Sequence, residues 1–253
     1  MTHLAHHFDD AEQQYTAANL GMWLFLATEV LFFGGLFAGY AQYRYWYPQE
    51  FAYGSHYLDV WLGAANTGVL LTSSLTMALA VHAAQTNDRQ GTALFLTLTI
   101  ILGSVFLGVK SYEYYHKWEE RLVPGQHFSL RAGHNSLPLP PASNSLQLPP
   151  GEGMGTGTSI AVADHSHNVS NGGSSTEINP GPVEIFFSFY FAMTGLHATH
   201  MVIGIAILGF LLAAARRGAF SADYFTPVEM TGLYWHFVDI VWVFLYPLLY
   251  LIR

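Results

Sequence analysis

The sequence predicts an all-α membrane protein: a five-transmembrane-helix bundle with a long irregular extramembrane loop between spans three and four. Three observations predict it. Half of the 253 residues are hydrophobic and only a tenth are charged, against about a quarter charged in a soluble domain. Five stretches stay mostly apolar over the roughly 20 residues needed to cross about 30 Å of hydrocarbon. Between the third and fourth lies a tract rich in Gly, Ser, Pro and Asn that cannot bury a core.

The first span covers 20–40 and reads Leu20-Gly-Met-Trp-Leu-Phe-Leu-Ala-Thr-Glu29-Val-Leu-Phe-Phe-Gly-Gly-Leu-Phe-Ala-Gly-Tyr40. The second, 61–84, is softened by Asn66, Thr72, Ser73, Ser74 and Thr76. The third runs over 92–114. The fourth, 183–215, is long enough to tilt or protrude, and the fifth is 232–252. Gly34-Gly35, Gly63 and Gly204 offer places where helix backbones can approach closely. Tyr43-Arg-Tyr-Trp-Tyr47 and Trp61 stand at span ends, as interfacial anchors do. The tract 124–182 must then lie outside the bilayer. The whole chain, 1–253, reads as a single membrane domain.

Composition also excludes. There is no Cys, which removes disulfides, thiolate metal sites and thiol catalysis together. No basic tract invites nucleic acid, although the net charge is −8. The first ten residues have neither a basic start nor an apolar core, so no signal peptide is expected. Arg216-Arg217, at the end of the fourth span, is the best topological cue. By the positive-inside bias it sets the N-terminus in the cytoplasm, and the C-terminus and the 124–182 loop in the periplasm.

The polar groups inside the spans are few. A carboxylate at the depth of Glu29 costs about 2.5–3.5 kcal/mol on insertion scales, so it must find water, a partner or another helix. His197 and His200, in Thr194-Gly-Leu-His197-Ala-Thr-His200, share a helix face at i, i+3. His236 and Asp239, in Tyr234-Trp-His236-Phe-Val-Asp239, do the same. Glu184, His82 and Lys110-Ser-Tyr-Glu113 mark span ends. The functional readings of this set are a proton path, a metal site or a lipid headgroup site. The structural reading is polar side chains that hydrogen-bond across a bundle and fix its packing. Two histidines at i, i+3 lack a third ligand, and no Glu-x-x-His motif of the di-iron kind occurs, so metal: none is the expectation. The histidines of the first seven residues and His127, His134, His165 and His167 read as solvated side chains.

Four blocks together resemble a known family. Gly21-Met-Trp-Leu-Phe-Leu-Ala-Thr-Glu29-Val-Leu-Phe-Phe is similar to the helix of haem-copper oxidase subunit III that carries a buried, carbodiimide-reactive glutamate. Gly195-Leu-His-Ala-Thr-His200-Met-Val-Ile-Gly204 looks like that family's Gly-Leu-His-x-x-His-x-x-x-Gly helix. Tyr234-Trp-His-Phe-Val-Asp239-Ile-Val-Trp-Val-Phe-Leu-Tyr246 is close to its last helix, and Ser111-Tyr-Glu113-Tyr resembles the end of another. They occur in the family's order. The resemblance implies a non-catalytic subunit III of a respiratory cytochrome c oxidase, in the five-helix bacterial form, in the bacterial cytoplasmic membrane. It implies no haem or copper in this chain. Those belong to partner subunit I, with copper also in subunit II if the donor is cytochrome c. It further implies phospholipids in a cleft, support of proton uptake, and assembly into a larger respiratory supercomplex. Glu29 would be the buried glutamate, with His197, His200, His236 and Asp239 in the polar seam, some reaching lipid headgroups. The longer members have seven helices, and the first two are absent here. The long loop would face an electron donor or a neighbouring complex, and the acids Asp9, Asp10 and Glu12 would bias a proton-collecting mouth.

Two other readings compete with this one. One is the equivalent subunit of a quinol oxidase or a nitric-oxide-reductase-associated homologue. The other is a small proton channel or transporter that uses Glu29 and the histidine pairs as a relay.

Overall fold

The computed structural model describes residues 8–125, 180–222 and 224–252. Six helices form among the described residues: α1 (Ala11–Trp46), α2 (Pro48–Ser55), α3 (Val60–Gln85), α4 (Arg89–Glu119), α5 (Pro180–Arg216) and α6 (Thr226–Tyr250). All but α2 are long and apolar enough to span a membrane, so the predicted five-span bundle is what the chain builds. Most of the 124–182 tract, residues 126–179, lies outside the described residues, as do His127, His134, His165 and His167.

The helix starts are chemically specified. Asp10 accepts a hydrogen bond from the backbone N–H of Gln13 at 2.6 Å and starts α1. Asp59 accepts from Trp61 and Leu62 at 2.9 and 3.2 Å to start α3, and Asp88 accepts from Gln90 and Gly91 to start α4. Each satisfies amide donors that a first helical turn leaves orphaned. Pro48 opens α2, where a missing N–H costs nothing. The α3–α4 hairpin turns over Thr86–Asp88 with Asn87 at φ 61°, and α5 stops at Gly218, φ 74°. These caps carry α1 and α4 beyond their apolar cores, so α1 begins nine residues before Leu20, and α6, with Pro227 in its first turn, begins six before Gly232.

α3, α4, α5 and α6 form a four-helix bundle, with neighbours α3–α4, α4–α5, α5–α6 and α6–α3. α1 lies outside it, against α5 and α6 and not along α3, and the short α2 packs on α5. Only Leu26, Phe33 and Tyr40 of α1 are buried, against fourteen residues of α6. The start of α1, the end of α3, the start of α4, the end of α5 and the start of α6 share one end of the bundle. The other end holds the α6 C-terminus.

Trp235 is the packing centre. Its fully buried indole lies between the bare backbones of Gly103 on α4 and Gly204 on α5, and its Nε1 donates to Ser73 Oγ of α3 at 3.0 Å. A Cβ at Gly103 would stand 2.8 Å from the ring, and one at Gly204 2.9 Å. Small residues thus let three helices close on one aromatic ring. Gly103→Ala and Gly204→Ala each overpack that contact. Each is expected to cost about 1–3 kcal/mol, read as a lower thermal midpoint of the detergent-solubilised protein, whereas Gly108→Ala, in open space, leaves the midpoint unchanged.

Candidate functional site: two polar clusters in the bundle

The first cluster joins α1 to α5. Glu29 stands midway along α1, and its Oε2 lies 3.2 Å from Nε2 of His200. The Glu29 side chain is 19 % exposed and the His200 side chain 13 %. The imidazole is oriented by its other nitrogen, Nδ1, at 2.9 Å from the carbonyl of Leu196. A carbonyl only accepts, so Nδ1 carries a hydrogen. Phe33 lies against the ring at 5.6 Å, and Tyr234 of α6 donates to the His200 carbonyl at 3.0 Å.

His197 stands one turn earlier on α5 and does not join this pair. It is fully buried between Phe106 and Trp242, with ring centroids at 5.4 and 5.2 Å, and neither nitrogen has a hydrogen-bond partner among the described residues. The i, i+3 spacing placed the two histidines on one face. The structure sends them to different neighbours, because α5 is wedged between α1 and α4 and its face is divided between them. His236 and Asp239 separate similarly. Nδ1 of His236 meets the hydroxyl of Ser74 on α3 at 2.6 Å. The buried Asp239 carboxyl has no hydrogen-bond partner among the described residues. The pair does not bond to each other along the helix.

The second cluster was noted in the sequence as a span end and, through Glu113, in one block of the family resemblance, with no partner assigned. Lys110 and Glu113 of α4, both buried, form an ion pair at 2.7 Å. Lys110 also donates to Tyr250 Oη at 2.7 Å, and its ammonium stands 4.6 Å over the Trp242 ring. Glu113 Oε1 accepts from Tyr190 at 2.9 Å and from Tyr250 at 2.6 Å. Three helices therefore saturate one buried ion pair, the geometry that offsets its desolvation. Next along α4, Lys117 donates to the Tyr57 carbonyl at 2.6 Å and pairs with Glu120. Neighbouring bonds tie the same end: Tyr40 to the Leu248 carbonyl, Tyr246 to that of Val60 and Ser55 to that of Ile252. Glu184 accepts from the Gly125 amide there.

Among the described residues, no group of three His, Asp or Glu side chains is placed to hold a metal. What the arrangement offers is one carboxyl–imidazole pair at mid-depth and one closed ion-pair network near the C-terminal end.

The sequence matches the cytochrome c oxidase subunit III family over residues 4–118 and 181–252, both sides of the long loop. The chain belongs to that family. Among its relatives, cytochrome c oxidase subunit 3 of Thermostichus vulcanus is 28 % identical over 96 % of this chain and 92 % of its own. The protein of the same name from Corynebacterium diphtheriae is 26 % identical over 93 % of this chain and 88 % of its own. Quinol oxidase subunit 3 of Bacillus spizizenii is 26 % identical over 99 % of this chain and 97 % of its own. A haem-copper oxidase subunit III of this kind is a multi-pass membrane protein that works in a complex with other oxidase subunits. Glu29–His200 and Lys110–Glu113 are thus features of a subunit III.

Lys110–Glu113 is open to a double-substitution test. Glu113→Leu strands a buried ammonium, and Lys110→Met leaves the carboxylate to two tyrosines. Each single change is expected to cost about 3–5 kcal/mol, and Lys110→Met with Glu113→Leu much less than the sum. Thermal or denaturant unfolding of the four proteins, parent included, measures it.

Proposed function

We propose that this chain is the non-catalytic subunit III of a respiratory cytochrome c oxidase, supporting subunit I and holding a proton at mid-membrane depth. Haem and copper reside in subunit I, with copper in subunit II as the entry point from cytochrome c. The membrane is the bacterial cytoplasmic one, with the N-terminus in the cytoplasm, where Asp9, Asp10 and Glu12 bias a proton-collecting mouth. Phospholipids line the open faces of α1. His197, His236 and Asp239 complete the polar seam.

The observation that carries this reading is the Glu29–His200 geometry. His200 Nδ1 is committed to the Leu196 carbonyl, so Nε2 faces the carboxyl at 3.2 Å with either a lone pair or a hydrogen. With no proton between them, a lone pair confronts a carboxylate and the contact is repulsive. With one, it is a hydrogen bond: from a neutral carboxylic acid to the imidazole when the proton rests on oxygen, and a charge-assisted imidazolium–carboxylate bond when it rests on nitrogen. The pair is thus built to retain one proton and to pass it between two atoms without rearrangement. That suits a reservoir beside a proton-consuming partner. It does not suit a conductor by itself, because His197, the adjoining imidazole, has no hydrogen-bond link to it.

A quinol oxidase subunit III is the second reading, favoured by the Bacillus spizizenii relative, which is matched nearly end to end. The donor is decided on the partner subunits. Gentle solubilisation through a tag on this chain tests both. Haem and copper are expected in the purified material, and donor preference then divides cytochrome c from quinol. A colourless oligomer that moves protons in vesicles overturns the proposal in favour of a channel.

Substitution tests the pair. His200→Leu removes the one partner of the carboxyl among the described residues and is expected to destabilise by about 1–3 kcal/mol, and adding Glu29→Leu restores most of it. Glu29→Gln keeps the shape but has no ionisable proton. It is expected to leave haem content unchanged while raising the rate of inactivation per turnover, most clearly at alkaline pH, where free protons are scarce.

A further inference from the structure

α1 and α3 both pack on α6 but not along each other, so a groove runs between them with α6 as its floor. The sense of the α1 surface is fixed by its contacts. Glu29 faces α5, and Phe33 meets Phe237 of α6, so Val30 and Gly34, further round the same helix, border the groove. Val30 is exposed, and nothing stands within 4 Å of where a Cβ on Gly34 would be. The α3 border carries Leu71 and Ala78, which flank Ser74 at i−3 and i+4. Ile240 and Phe244 lie exposed along the floor, 55 and 61 % accessible.

These residues alone would suit acyl chains. His236 does not. It meets Ser74, the fifteenth of the 26 residues of α3, and so stands near the middle of the hydrocarbon. Its Nδ1 is taken by Ser74. Its Nε2 has no partner among the described residues and is not enclosed by the chain. If the Ser74 hydroxyl donates to Nδ1, then Nε2–H is a donor in need of an acceptor. If Nδ1–H donates, Nε2 is an acceptor in need of a donor. Neither need is met by a hydrocarbon chain, and an unmet polar group there is costly. The bare backbone at Gly34 admits a helix at close approach.

We propose that this groove seats a transmembrane helix of the partner oxidase subunit, one that presents a hydrogen-bonding side chain to Nε2 of His236. The proposal rests on the subunit III reading and adds to it the face through which the partner is held. The bond supplies register: an otherwise apolar helix can slide along the groove, and one polar contact at mid-depth fixes its height.

The absence of cysteine from the natural chain makes the test direct. Val30→Cys, Leu71→Cys and Ile240→Cys, made singly, are labelled with a thiol-specific photocrosslinker in the intact haem-containing complex, and the adducts are sequenced by mass spectrometry. All three are expected to capture one membrane-spanning segment of another oxidase subunit. Capture of lipid alone, or of a second copy of this chain, overturns the proposal. In parallel, His236→Leu is expected to reduce the haem retained per tagged chain after detergent challenge by about threefold, and His236→Gln, which keeps donor and acceptor, to restore it. Equal retention in all three proteins overturns it. A tagged chain that brings down no haem at all defeats the functional reading itself. A haem-bearing complex whose groove thiols meet only lipid defeats the groove alone.

Discussion

A helix in hydrocarbon gains little by burying apolar surface against another helix, because the lipid is as apolar as the protein. What decides the arrangement is the cost of leaving a polar group unmatched there. The bundle is organised around the places where that cost is avoided by side chains from different helices. Lys110 and Glu113 need Tyr190 of α5 and Tyr250 of α6. Trp235 and Trp242 of α6 need Ser73 and Thr67 of α3. Thr76 and Thr99 bind α3 to α4 at 2.8 Å. Each contact is modest alone. Together they exclude the registers and rotations that an apolar helix would otherwise sample.

The contacts are unevenly distributed along the membrane normal. The end with the α6 C-terminus holds the buried ion pair, Lys117 and the bonds from Tyr40, Ser55 and Tyr246 to backbone carbonyls. The opposite half of α1 is held by far less: the Glu29–His200 contact and Tyr15 to Glu229 at 3.3 Å. Leu20, Trp23, Leu24, Val30, Leu31 and Phe32 all stand exposed along it. A half-helix secured by two polar contacts, of which the carboxyl–imidazole one is the shorter, responds to the loss of that contact, whereas the other end does not. The site proposed to hold a proton is therefore also the site at which the N-terminal half of α1 is weakly anchored.

Much of this was legible in the sequence, and what was not has a common cause. The five spans follow from hydropathy and length, and Glu29 stands out because one carboxylate in an apolar run has few explanations. The i, i+3 spacings of His197–His200 and His236–Asp239 were visible too, but spacing gives the direction of a side chain on its own helix and not what stands opposite. His200 meets a residue 171 positions away, and Lys110 one 140 positions away. Those partners depend on how helices are rotated about their axes, which packing around Trp235 sets. The eight-residue α2 has too few residues for a periodic signal, and its Pro48 start is the one local cue. The ends of α1, α4 and α6 lie beyond the apolar runs because aspartate and proline caps, not hydropathy, set them.

Asp239 and His197 show how such polar groups relate to assembly. Both are buried, and both lack hydrogen-bond partners among the described residues. His197 is enclosed by rings of this chain, Phe106 and Trp242, so no neighbour can reach it without displacing the core. Asp239 lies one turn beyond His236 on the side of α6 that meets α3, next to the open groove. A helix entering that groove would cover His236, and Asp239, already buried one turn away, would lie behind the same contact. On this argument α6 carries its polar residues where they are because the chain is complete only within a complex, and the apolar exposure of α1 is the same fact seen from the other wall of the groove.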